Sequence, residues 1–146
     1  MSSSCCTNKP APHIKDLDAL TSVYAALADP TRLRILSLLR DGEICVCHLH
    51  AGLDVPQPTA SRHLAYLRKA GLVEARRQGV WMHYRLAELA NPVVATVVRS
   101  ALHALTHTVA RTKDDRRLRS ALQASWSRWR SPSVKAPKRP LPWAGR

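Results

Sequence analysis

Between Asp29 and Gly71 the chain carries stop and start signals too closely spaced for any long helix: Asp29-Pro30, Asp41-Gly42, Gly52-Leu53-Asp54, Pro56-Gln57-Pro58 and Gly71. Asp favours the N-cap, Pro the first helical position and Gly the residue past a helix end, so these signals predict short helices joined by tight turns. One runs from about Pro30 to Arg40 with Leu33, Leu36 and Leu39 inward. A short helix covers about Ile44–Ala51, Gly52-Leu53-Asp54 is a turn, and a longer helix opens at Pro56-Gln57-Pro58 and ends at Ala70. Upstream, Leu17, Leu20, Val23, Tyr24 and Leu27 repeat at helical spacing and predict a first helix from Asp16 to near Ala28.

In the longer helix, Leu64, Leu67 and nearby Leu72 anchor one side, which leaves Gln57, Thr59, Ser61, Arg62 and His63 on the opposite side of its first turns. Two short helices joined tightly, with hydrogen-bonding side chains at the start of the second, match the helix-turn-helix that sets such residues against major-groove base edges. Val73–Arg77 and Val80–Leu86 flank Gln78-Gly79, the pattern of two strands joined where positive φ is needed. That hairpin reads as a wing, with Arg76 and Arg77 near its tip for phosphate contact and Arg62 as the foremost base-reading candidate. Asn91-Pro92 caps an apolar helix carried through Val93, Val94, Val97, Val98, Ala101, Leu102, Leu105 and Val109, a face one subunit does little to bury. The fold class expected is therefore mainly α with a β-hairpin wing (α+β), a winged helix-turn-helix paired as a homodimer through its first helix and this apolar one.

A net charge of +13 makes a polyanion the expected partner, double-stranded DNA ahead of a membrane surface. Residues 1–112 hold 13 basic against 8 acidic residues and residues 113–146 hold 10 against 2. Three parts follow: residues 1–15 as a flexible arm, 16–112 as the DNA-binding and dimerisation domain, and 113–146 as a basic tail, partly helical and then disordered, able to tether DNA without sequence choice. No apolar run reaches the roughly 18 residues of a membrane span and the first residues lack a signal-peptide pattern, so a cytoplasmic protein is expected. No glycine-rich phosphate loop, no Gly-x-Ser-x-Gly and no carboxylate pair near the histidines is present, which argues against an enzyme.

The four cysteines form two close pairs, Cys5/Cys6 and Cys45/Cys47, unlike a secreted disulfide framework. Cys45 and Cys47 lie in Glu43-Ile44-Cys45-Val46-Cys47-His48-Leu49-His50, just ahead of the recognition helix, where soft thiolates could couple ion binding to DNA affinity. On a regular helix, positions i and i+2 are about 200° apart, so joint ligation would require the first turn to distort. Cys47 and His50 share a helix face at i, i+3, a spacing that suits zinc, although His48 and His50 are more readily explained as solvated or DNA-facing.

Through Ala28–Leu36, Pro58–Val73 and Gly79–Leu86 the chain resembles the ArsR/SmtB family of winged-helix repressors over roughly residues 17–110. The resemblance implies a dimer that represses a promoter until an inducer releases it. Glu43–His50 is similar to the arsenical-responsive motif of that family, in which Cys-Val-Cys is followed two residues later by a third cysteine; here that position is His50. Arsenite and antimonite, As(III) and Sb(III), prefer three thiolates, so Cys5 or Cys6 is expected to join Cys45 and Cys47. Family members with N-terminal cysteines also make four-thiolate cadmium or lead sites, and the alternatives are therefore a Cd(II), Pb(II) or Zn(II) sensor or a thiol redox sensor. His103 and His107 stand at i, i+4 where the family's zinc sensors bind metal, but the upstream carboxylate is absent among Val93–Val98, so packing or solvation is expected of them.

Overall fold

In a computed structural model the described residues are 14–129; Cys5 and Cys6 and the end of the basic tail lie outside them. Six helices and three strands follow in the order α1 (Ile14–Leu27), α2 (Pro30–Leu39), β1 (Ile44–Cys45), α3 (Val46–Leu53), α4 (Gln57–Lys69), β2 (Val73–Gln78), β3 (Trp81–Leu86), α5 (Pro92–Leu105) and α6 (Val109–Trp129). The caps read from sequence are made: the Asp29 side chain accepts from Arg32 N at 2.9 Å, and Asn91 Oδ1 accepts from Val93 N at 2.9 Å and Val94 N at 3.4 Å. Each of these satisfies amides that a helix start leaves without partners.

The core draws Val23 and Ala26 from α1, Ile35, Leu36, Leu38 and Leu39 from α2, Leu49 and Leu53 from α3, Leu64 and Leu67 from α4, and Val94, Val98 and Leu102 from α5. Helix α2 is buried on more than the one stripe expected, because α1, α3, α4, α5 and α6 all pack around it. Leu33 is only half-buried, and Ile35 and Leu38 are fully buried in its place. Loss of one such side chain to Ala would cost about 2–5 kcal/mol.

The chain departs from the sequence reading at four places. Ile44 and Cys45 are extended and form β1, pairing antiparallel with β3 at Ile44↔Tyr84 and Cys45↔His83, so the sheet has the order β1-β3-β2 and α3 starts two residues later than expected. Helix α3 runs through Gly52 to Leu53 and stops where Asp54 takes the left-handed conformation (φ 58°, ψ 49°). The apolar helix expected to continue to Val109 ends at Leu105, and α6 sets off at 85° to it. The wing turn is Gly79-Val80, one residue later than read, with Gly79 at φ +63°.

Helix α6 runs without a break through the boundary expected between residues 112 and 113, and residues 113–125 pack on α3 and α2. Its buried side is largely charged. Asp114, 2% exposed, accepts two hydrogen bonds from Arg34, whose Nη2 also donates to Leu53 O at 2.6 Å. Arg111, also buried, donates to Ser37 Oγ, to Asp115 at 2.7 Å and to Asp41. Where α6 crosses α3, a Cβ at Gly52 would stand 3.1 Å from Leu118 Cβ, so the close approach depends on glycine. No single helix among the described residues is long and apolar enough to cross a membrane.

Candidate metal centre and nucleic-acid interface

Cys45 is the last residue of β1 and the N-cap of α3, with extended dihedrals (φ −67°, ψ 142°). The 200° separation of a continuous helix therefore does not arise, and no unwinding is needed to bring the two thiols together: the Sγ atoms of Cys45 and Cys47 are 2.7 Å apart with Cys47 as donor. Cys45 is buried and Cys47 half-buried, both as free thiols. Hydrogen bonding from the Cys47 thiol, reinforced by the backbone amides of Cys47 and His48 at the helix start, lowers the Cys45 pKa to about 7 against the opposing effect of burial. The same contact, with burial, pushes Cys47 upward, so Cys45 is the first of the two to ionise.

The third donor that the structure brings to the thiols is His48, which sequence spacing passed over in favour of His50. Cys45, Cys47 and His48 present ligand atoms all within 4.8 Å of one another, the His48 Nδ1 lying 3.7 Å from Cys47 Sγ. Its Nε2 is 2.7 Å from Ser125 Oγ of α6. Burial, with smaller contributions from His83 and His50, lowers the His48 pKa and favours the neutral ring. His50 instead places Nδ1 3.3 Å from Val55 O, in the turn before α4. His83, opposite Cys45 in the sheet, has its pKa lowered mainly by burial, against the pull of Glu43 3.6 Å away. Among the described residues no cluster of ligating side chains includes His103 or His107.

On α4, Ala60, Leu64 and Leu67 face the core, which sets Gln57 and Arg62 in solvent and Thr59 and Ser61 half-buried at the edge. Arg62 makes no ion pair with any described residue and is free to reach outward. His63 is turned back, Nδ1 3.6 Å from the Asp29 carboxylate that caps α2. Exposed Tyr66, Arg68 and Lys69, unremarked in the sequence reading, continue the outer side of α4, and the Arg32 guanidinium stacks 4.3 Å over the Tyr66 ring. On the wing, Arg77 is exposed and donates to Gly79 O at 3.0 Å, whereas Arg76 is tied to Glu43 at 2.5 Å and so links the wing to the residue preceding β1.

Residues 29–75 match the family model described as bacterial regulatory protein, arsR family. The chain is similar to the arsenic resistance transcriptional regulator ArsR1 of Pseudomonas putida, 46% identical over 53% of this chain and 61% of that protein. It is also similar to the arsenical resistance operon repressor of Escherichia coli, 54% identical over 44% of this chain and 56% of that one. The chain thus spans less than two thirds of either. The HTH-type transcriptional repressor SmtB of Mycobacterium tuberculosis is 40% identical over 68% of this chain and 76% of its own length. Among solved structures, HlyU from Vibrio cholerae matches with a TM-score of 0.56 at 32% identity, covering 65% of this chain and 99% of HlyU. The homodimeric winged helix-turn-helix DNA-binding domain Mb0332 from Mycobacterium bovis gives 0.53 at 31%, covering 74% and 94%.

Proposed function

Because the chain belongs to the ArsR family of bacterial regulatory proteins, and is a DNA-binding transcriptional repressor of that kind rather than an enzyme, we propose that it binds operator DNA as a two-fold dimer and is released when arsenite or antimonite binds its thiolates. The observation that carries the reading is the Cys45/Cys47 pair, two adjacent thiols at the junction of the wing sheet and the first helix of the helix-turn-helix. A thiophilic trivalent ion meets both sulfurs at one place. Cys5 or Cys6, from the same subunit or the other, supplies the third sulfur.

Ligation acts where α3 begins. It replaces the S–H···S contact with sulfurs held apart on a common ion, and this moves Cys45, which is paired to β3, relative to α3, which packs on α4. DNA affinity falls by the factor by which DNA weakens ion binding, typically about 1–3 kcal/mol of coupling. Arg62 and Gln57 read base edges, Thr59 and Ser61 support them, and Arg77 contacts phosphate; Arg76 reaches DNA by leaving Glu43, and His63 by leaving Asp29. Exposed Leu17 and Tyr24 on α1 and Val93 on α5 form the dimer face, and the homodimeric Mb0332 domain supports that pairing.

Anisotropy of labelled operator, titrated in parallel with arsenite, antimonite, cadmium, lead, zinc and peroxide, tests the reading. Arsenite and antimonite should release DNA, Cys45→Ser or Cys47→Ser should each abolish release while sparing binding, and the double Cys5→Ser/Cys6→Ser chain should lose the arsenite response. Release by cadmium or lead alone would make the protein a divalent-metal sensor; release by peroxide without any ion would make it a redox sensor.

A further inference from the structure

Helix α6 reaches the ring beside the thiol pair through one side chain, Ser125. Ser125 Oγ is 3.0 Å from Ala121 O and 2.7 Å from His48 Nε2. With the one hydroxyl proton of Ser125 given to Ala121 O, its oxygen accepts from His48 Nε2. Nε2 therefore bears the ring proton and Nδ1 the lone pair. That lone pair lies on the side of the thiols, 3.7 Å from Cys47 Sγ, whose own proton is given to Cys45.

Resting on the reading of Cys45 and Cys47 as ion-binding thiolates, we propose that His48 Nδ1 completes with them a three-donor site for a divalent, borderline-soft cation such as zinc, and that Ser125 is its positioning residue. Zinc held tetrahedrally, with Zn–S of about 2.3 Å and Zn–N of about 2.0–2.1 Å, sets sulfurs about 3.8 Å apart and sulfur from nitrogen about 3.6 Å. The Nδ1 to Cys47 spacing of 3.7 Å already fits, the 2.7 Å sulfur separation has to open by rotation of the half-buried Cys47, and Cys45 and the ring, within 4.8 Å of each other, adjust about the ion. Ligation expels the Cys47 proton to solvent. An outer hydroxyl that fixes a ligating imidazole raises its donor strength and holds its plane, a contribution worth about 10–100-fold in metal affinity. Arsenic favours sulfur over imidazole, so an arsenical leaves the ring with Ser125 while zinc engages it. The C-terminal helix is thereby part of the ion site for one class of ion and a bystander for the other.

X-ray absorption of the zinc-loaded full chain, with chelator competition, provides the test. The spectrum should contain sulfur together with imidazole scattering; His48→Ala should remove the imidazole, and His50→Ala should not. Ser125→Ala, at a helix surface where folding is not at stake, should weaken zinc about 10- to 100-fold with the sulfur neighbours retained, Ser125→Thr should restore it, and arsenite affinity should not move. A zinc spectrum with sulfur and no imidazole, imidazole persisting in His48→Ala, or unchanged zinc affinity in Ser125→Ala would each overturn the inference and leave the arsenical reading standing. Imidazole present in a chain from which arsenite fails to release DNA would uphold this site and overturn that reading instead.

Discussion

Replacing Asp114 by Ala should show that α6 is part of the folded domain. The carboxylate is 2% exposed and accepts from Arg34 Nε at 2.8 Å and Nη2 at 2.6 Å, while Arg34 keeps 26% of its side chain in water. Removing one partner of a fully buried pair costs about 3–5 kcal/mol, because the other charge is left unpaired. Here Arg34 retains Leu53 O, the nearby Asp54 and access to solvent, so the cost is shifted below that range, to about 2–4 kcal/mol. Against the 5–15 kcal/mol that holds a typical domain together, such a loss lowers the urea midpoint visibly. Denaturation followed by circular dichroism on the wild type, Asp114→Ala, Arg34→Met and the double variant isolates the pair. We expect a coupling of about 2 kcal/mol or more. A coupling below about 0.5 kcal/mol would place the contact among ordinary surface ion pairs and refute the view that α6 is anchored by buried charge.

On DNA, Arg62→Ala should cost about 1–3 kcal/mol at the operator and relax base preference, whereas Arg77→Ala should weaken all sequences alike and flatten the salt dependence; anisotropy against matched and scrambled duplexes at several salt concentrations decides, and the reverse pattern would exchange their roles. The thiol pair should leave a mark on stability against pH. Because the folded Cys45 pKa is lowered from 9.0 to about 7, its contribution is full above 9 and fades as pH falls through 7. Cys47, pushed upward, opposes it above 9. The wild type minus Cys45→Ser difference in unfolding free energy should thus rise by about 1.5–2 kcal/mol from pH 7 to 9 and then turn down. A difference flat from pH 6 to 9 would refute the lowered Cys45 pKa.

Much of the molecule was legible in its sequence because caps and periodicity act locally. Asp29-Pro30, Asn91-Pro92 and Gly79 each announced an element boundary that the fold uses, and the spacing of Leu64 and Leu67 set the outer side of α4. What escaped notice depends on partners distant in sequence. A two-residue strand such as β1 has no period, and its pairing with Tyr84 and His83 is visible only in three dimensions. The i, i+3 spacing from Cys47 and the third-cysteine position of the motif singled out His50, whereas in the fold His48 is the ring beside the sulfurs. The break after Leu105 was hidden by apolar residues continuing to Val109. Helix α6 looked like a tail because, among its described side chains, the buried side combines Arg111 and Asp114 with Leu118 and Leu122, although Arg111/Asp115 and Leu118/Leu122 at i, i+4 were there to be read.

The extended residue at position 45 also restricts how such a chain could acquire a new ion preference. Residues 43–50 resemble an exchangeable cassette, but Ile44 and Cys45 are simultaneously rungs of the wing and the springboard of α3. A replacement must keep an extended residue at position 45 and must keep the next residues helical. Variation in ligand type is thus channelled to side chains at 45, 47 and 48, where backbone geometry stays constant. Grafting the octapeptide into a scaffold lacking the β3 partner would transfer the sulfurs without their spacing.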